Sequence, residues 1–191
     1  MSEAPPSDSR DEAPVPEELA ESWQVIHGYS ISIRPLRQTD LDIESAFVEG
    51  LSRESRYNRL LGGAINISRA YIEQLTTIDY SRDMALAAVV MTEDSEVLIG
   101  VARYVRDAGD LPGGCEFAIV IADAWQGRGI GRHLMEKLIR VARSRRIPSM
   151  HGEILSTNHG MLMMVKKLGF RTERHPEDGT VVRAVLELNQ H

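Results

Sequence analysis

The stretch EFAIVIADAWQGRGIGRHLMEKLI, residues 116–139, runs from an apolar segment through three alternating glycines into an amphipathic helical pattern. A strand that ends in a glycine turn and feeds a helix forms a cradle for phosphate. Glycine lets the backbone approach a ligand closely and adopt dihedrals that other residues avoid. The first helical turn then aims unpaired N–H groups and the positive end of the helix dipole at the anion. Arg128 and Arg132 add charge at the rim. Three cradles of this type compete. The P-loop needs Gly-Lys-Ser/Thr, but Arg132 and His133 follow Gly131 here. A dinucleotide fingerprint counted from Gly127 ends on Arg132 instead of glycine, and it belongs near the first strand of a parallel sheet. The pattern that survives is Gln-x-x-Gly-x-Gly, on Gln126, Gly129 and Gly131.

Outward from this motif the chain alternates strands and helices. YSISIRPL (29–36) reads as a first strand, and QTDLDIESAFVEGLS as a helix capped by Thr39 with Asp42 three residues on. SRESRYNRLLGG reads as a second short helix, and Ser68 caps RAYIEQLTTI. MALAAVVMT (84–92) and EVLIGVARYVR (96–106) form strands around a polar turn, followed by CEFAIVI (115–121). The helix after the glycines places Ile130, Leu134, Leu138, Val141 and Ala142 on one face, and Pro148 marks its end. SMHGEIL is a strand, NHGMLMMVKKLG a helix opened by Asn158 and closed by Gly169, and FRTERH and VVRAVLEL a closing hairpin. The order is that of one mixed α/β domain without internal repeats.

At 191 residues the chain can bury a core of its own. One cysteine, Cys115, makes no internal disulfide, and no apolar run reaches the roughly 18–20 residues that cross a bilayer. Residues 1–21 carry seven of the 28 acids and one of the 22 basic residues, which leaves a body of balanced charge behind an acidic, proline-rich tail. Such a tail, set at residues 1–22, is expected to be disordered, with the folded domain over 23–191. Balanced charge argues against nucleic acid as the main ligand. The expectation is a cytoplasmic protein with no membrane partner.

The residues QGRGIG, preceded by FAIVIADAW and followed by NHGMLMMVKKLGF, resemble the acetyl-CoA site of the GNAT superfamily of N-acetyltransferases. IRPLRQTD, LSRESRYNRL, IDYSRDMALAAVV and LIGVARYVRD are similar to the acceptor half of bacterial Pat-type protein lysine acetyltransferases. The likeness runs from about residue 29 to 188. It implies a mixed, mostly antiparallel central sheet, flanked by helices and splayed after the fourth main strand, with the pantetheine arm of acetyl-CoA in the gap. Backbone groups of Ile119, Val120 and Ile121 would line that arm. The pyrophosphate would sit on Gln126, Gly127, Arg128, Gly129, Ile130, Gly131 and Arg132. Asn158 would touch the pantetheine or the product, beside its plainer role as a helix cap. Some Pat-type proteins acetylate acyl-CoA synthetases, so the resemblance implies such a synthetase as partner. Many also carry a fused synthetase-like or cyclic-nucleotide-binding domain, which the 28 residues before YSISIRPL are too few to form.

Acetyl transfer to an amine needs the amine neutral. A lysine near pKa 10.4 is protonated at pH 7 by about 3.4 units, or about 4.6 kcal/mol. A base that takes this proton lowers the cost at the reacting centre. Glu116 opens an otherwise apolar strand and matches the position of the Pat-type catalytic glutamate; burial beside FAIVI is expected to tune it. Glu153 is a second carboxylate, read as a relay, an ammonium binder or a plain strand-face residue. The superfamily's tyrosine acid aligns with Val165, which removes that general acid. His133, His151, His159 and His175 lack metal-ligand spacing, so no metal is expected. Cys115 reads as a buried spectator, and Met161, Met163 and Met164 as packing residues. Two other functions stay open: N-acetylation of a small amine or polyamine, and acyl-CoA binding without catalysis.

Overall fold

The computed structural model describes residues 13–26, 28–63, 68–93, 95–108, 113–175 and 177–189. Eight strands form one sheet in the order β1-β2-β3-β4-β5-β6-β8-β7. They are β1 (Glu21–Ile26), β2 (Tyr29–Pro35), β3 (Met84–Met91), β4 (Glu96–Arg106), β5 (Cys115–Ile121), β6 (Ser149–Leu155), β7 (Arg171–Arg174) and β8 (Val181–Glu187). The helices are α1 (Leu41–Gly50), α2 (Arg53–Arg59), α3 (Arg69–Thr76), α4 (Ile130–Ser144) and α5 (His159–Lys167). All strand pairs are antiparallel except β5 with β6.

The core divides across the sheet. Met84, Leu86, Ala88 and Val90 of β3 join Leu134, Leu138 and Val141 of α4 in one buried cluster. Ala85, Ala87 and Val89 join Phe47 and Val48 of α1 and Ile72 of α3 in the other. A strand covered on both faces has no polar side, hence the unbroken apolar run of β3. On α4, Leu134 and Leu138 are fully buried, each contributing about 1.5–3 kcal/mol of transfer energy. The register of β3 on β4 slips between Ala88 and Val89, leaving Ile99 as the extra residue of a bulge.

The sheet parts where the resemblance implied. β4 pairs with β5 along its whole length, from Gly100↔Ile121 to Arg106↔Cys115. β5 meets β6 only at Cys115↔Met150 and Glu116↔His151. From Phe117 onward the two strands separate. β6 is then occupied on its other side by β8, over seven residues.

The sequence reading needs correction at two places. The boundary drawn at residue 22 is too late. Ala13, Val15 and Leu19 pack against the core, Glu17 ion-pairs with Arg37 at 2.8 Å, and β1 begins at Glu21. Residues 1–12 of the expected tail lie outside the described residues. Thr39 is not a helix cap: Gln38–Asp40 form a 3₁₀ turn, and Asp40 accepts the Arg37 N–H at 2.7 Å ahead of α1. The caps at Ser68 and Asn158 are as expected, accepting from Tyr71 N at 3.2 Å and Met161 N at 3.2 Å.

Candidate active site

β5 is the wall on which the site is built. Ala122 N donates to Ile99 O at 2.9 Å and Asp107 N to Gly114 O at 3.1 Å, so even-numbered residues of this strand turn their backbone groups toward β4. Ile119 and Ile121 therefore present theirs to the gap beside β6. Val120, expected alongside them, has its backbone turned to β4 and contributes its side chain to the opposite face. The carbonyl of Ile121 already accepts Gln126 Nε2 at 3.0 Å, and that amide also reaches Ser55 Oγ at 3.1 Å on α2.

The glycine turn has the conformation its sequence implies. Gly127 (φ +72°) and Gly129 (φ +85°) are left-handed, a region that costs other residues about 1–2 kcal/mol. Gly129 caps α4 without any side-chain bond, and the first intrahelical donor is His133 N to Gly129 O at 3.0 Å. The N–H groups of Ile130, Gly131 and Arg132 thus point out of the helix start together. Gly131 serves differently: a Cβ there would lie 3.5 Å from both Ile121 Cγ1 and Met164 Sδ, so the turn rests on β5 and α5. The two rim arginines are engaged locally. Arg128 donates to Ala124 O at 3.1 Å and lies 5.7 Å over the Trp125 ring, and Arg132 pairs with Glu136 at 2.8 Å.

On the other face, Ala118 and Val120 line a cavity of about 30 Å³. Its wall includes Val48 of α1 and Leu51 just after it, Tyr71 and Leu75 of α3, and Arg56 and Arg59 of α2. Glu44 and Arg103 form its floor, 3.8 Å apart. Burial pushes the Glu44 carboxyl up against the opposing pull of Arg103, and its Oε2 has no hydrogen-bond partner. Sequence reasoning passed over both residues. The signal available was a glutamate within the otherwise apolar spacing of LDIESAFV and an arginine within VARYV.

Glu116 closes this face at the point where the strands part. It is exposed, contrary to the burial expected from FAIVI, at the last position where β5 pairs with β6. Glu153 bonds His175 at 3.4 Å two residues beyond His151. Asn158 spends its side-chain oxygen on the cap of α5, which leaves its NH₂ out of that bond. Val165 is fully buried and offers no acid. The Cys115 thiol is also buried and pushed up to about 12, chiefly by that burial, so it is no nucleophile. Among the described residues no group of three His, Cys, Asp or Glu side chains is placed to hold a metal.

A sheet opened beside an unpaired strand edge, with a glycine-capped helix at its end, defines an acyl-CoA-dependent transferase site. The chain belongs to the acetyltransferase (GNAT) family, whose sequence profile matches residues 57–170. It is an acetyltransferase, and acetyl-CoA is the acyl donor of that family. An acetyltransferase of Pseudomonas aeruginosa is 38% identical over 156 residues, which is 81% of this chain and 82% of that protein. Acetyltransferase Pat of Mycolicibacterium smegmatis is 31% identical over 147 residues, 76% of this chain but 43% of the longer relative. The crystal structure of the GNAT domain of S. lividans PAT superposes with a TM-score of 0.80 at 28% identity, covering 91% of this chain and 99% of that domain.

Proposed function

We propose that this chain acetylates the ε-amine of a lysine in a partner protein, for example an acyl-CoA synthetase, by direct transfer from acetyl-CoA within a ternary complex in the cytoplasm. The observation that carries the reading is the position of Glu116. It is the last residue joining β5 to β6, at the head of the unpaired edge and on the same face as Ala118 and Val120 of the cavity. The pantetheine would take the gap-facing backbone of Ile119 and Ile121, and the pyrophosphate the N–H groups of residues 127–132. Asn158 would add its amide at the thioester end. The lysine would arrive from the cavity face and lose its proton to Glu116, directly or through one water. Its amine would attack the thioester carbonyl, whose oxyanion a gap-facing strand N–H would hold. Coenzyme A would leave as thiolate and take its proton from water. Likeness to Pat supports the protein-lysine acceptor.

The test is mass spectrometry of a purified acyl-CoA synthetase incubated with acetyl-CoA and either the wild type or Glu116→Gln. Site-specific lysine acetylation with the wild type, reduced about 10²–10⁴-fold in the variant at unchanged acetyl-CoA affinity, is the expected result. Equal turnover by Glu116→Gln removes the base. Absence of acetylation moves the acceptor to small amines, read by thiol release.

A further inference from the structure

The register of the sheet sets a histidine beside the proposed base. Glu116 and His151 are partners in the short parallel ladder, so their side chains leave the same face about 4.8 Å apart. His151 Nε2 lies 2.9 Å from Asp107 Oδ1. Asp107 follows the end of β4, on the far side of β5, where its N–H bonds to Gly114 O. To make this contact the imidazole must cross β5 between residues 114 and 116. Gly114 has no side chain to take up the space beside the Asp107 carboxylate. A Cβ there would lie 2.9 Å from Ser149 O and 3.1 Å from Asp107 Oδ2. The ring thus leaves β6 from the position paired with Glu116 and ends on the Asp107 carboxylate.

We propose that His151, oriented by Asp107, is a relay and positioning residue that takes the substrate proton from Glu116 and releases it to solvent. The inference rests on Glu116 being the base. An ionised Asp107 only accepts, so Nε2 carries the ring hydrogen and Nδ1 is the free acceptor. The ammonium proton passes first to the Glu116 carboxylate, freeing the amine lone pair for attack. Glu116 then gives it to Nδ1, which restores the carboxylate and makes an imidazolium that Asp107 stabilises. The imidazolium, one-fifth exposed in its side chain, returns the proton to water. Imidazole is the side chain able to accept and release a proton near neutrality.

The other charged groups on this face are mostly paired. On β6, Glu153 bonds His175. On β8, Val185 stands opposite His151, Arg183 opposite Glu153, and Glu187 bonds Arg171 of β7. Glu173 of β7 is the register partner of Arg183. On β4, Val105 stands opposite Glu116, and Arg103 is held at Glu44. Among the described residues, Asp107 is the one carboxylate bonded to the His151 ring.

Two arms test the relay. With an acceptor identified by thiol release, His151→Ala should lower kcat by about 10-fold or more, with acetyl-CoA affinity unchanged, and added imidazole should restore it. A merely structural histidine would not be rescued by a diffusible base. In acceptor-free protein, the His151 ring signals followed by NMR over about pH 5–8 should respond to Glu116→Gln and to Asp107→Asn. The gentler His151→Gln replaces the alanine variant if the latter unfolds. Wild-type turnover in His151→Gln, failure of imidazole to rescue, or ring signals indifferent to Glu116→Gln each overturn the relay. Unchanged turnover in Glu116→Gln overturns the base itself, a result visible in that variant alone.

Discussion

Arg34 of β2 divides its guanidinium between two carboxylates. It bonds Asp40 through both nitrogens, at 2.7 and 2.9 Å, and Glu96 at 2.7 Å. The network ties the entry of α1 to the start of β4; the Arg34–Asp40 pair is buried with little solvent to screen it, while Glu96 is one-third exposed. Arg34→Met should therefore cost about 3–5 kcal/mol in urea unfolding, because it leaves a buried carboxylate without its partner. This network also explains why Thr39 does not cap the helix. Asp40 is recruited by an arginine six residues earlier, a link the local spacing QTDLDI does not encode. Gly129 shows the opposite case, where local spacing suffices. Its left-handed φ follows from the Gln-x-x-Gly-x-Gly pattern alone, and Gly129→Ala should weaken acetyl-CoA binding by about 1–2 kcal/mol in calorimetry. Glu116 lies between these cases. Its candidacy as base comes from resemblance, while its exposure depends on where β6 departs.

At the scale of elements, β1 is the strand that sequence reading misses, its first two residues falling in the expected tail. Its side chains gain meaning only against α4, more than a hundred residues away in the chain. Glu21 accepts from His133 at 2.8 Å and Lys137 at 2.9 Å, and Trp23 stacks on His133 with centroids 4.5 Å apart. An acidic residue before Ser-Trp-Gln-Val looks like more of the tail until the basic face of the helix is set beside it. Partial burial raises the Glu21 carboxyl, but the bonds from Lys137 and His133 outweigh it and hold it below the usual range. A depressed carboxyl contributes stability above its unfolded value, near 4.5, and loses it as pH falls through the folded one. Fluorescence of Trp23 in a Trp125→Phe background should thus report loosening of β1 as pH drops below about 4.5. Glu21→Gln should already show the loosened signal at neutral pH. The β5–β6 divergence was equally silent in the sequence, since CEFAIVI and SMHGEIL are both complete strand patterns. Only the family resemblance located it.

At the scale of the whole molecule, the proposed donor and acceptor surfaces lie on opposite sides of one strand. The backbone of Ile119 and Ile121 serves the gap, while Ala118 and Val120 face the cavity with Glu44 and Arg103. The proposed mechanism then has donor and acceptor bound together, and Cys115, sealed in the core, is not placed to carry the acetyl group. Initial rates with both substrates varied should give intersecting double-reciprocal lines. Parallel lines, or acetyl bound to Cys115 in the mass spectrum, would indicate a covalent intermediate instead. Among the described residues no helix is long and apolar enough to cross a membrane.

Gln126 has a consequence at this scale. Its amide holds the Ile121 carbonyl on one side and the Ser55 hydroxyl on the other, and Asp123 fastens the same α2 start through Ser52 and Ser55 at 2.6 and 2.8 Å. Gln126 therefore links the gap-facing carbonyl of β5 to the start of α2, a helix that Asp123 also holds. If acetyl-CoA binds in the gap as proposed, a pantetheine amide that took the Ile121 carbonyl would release the Gln126 amide and slacken one of the ties on α2.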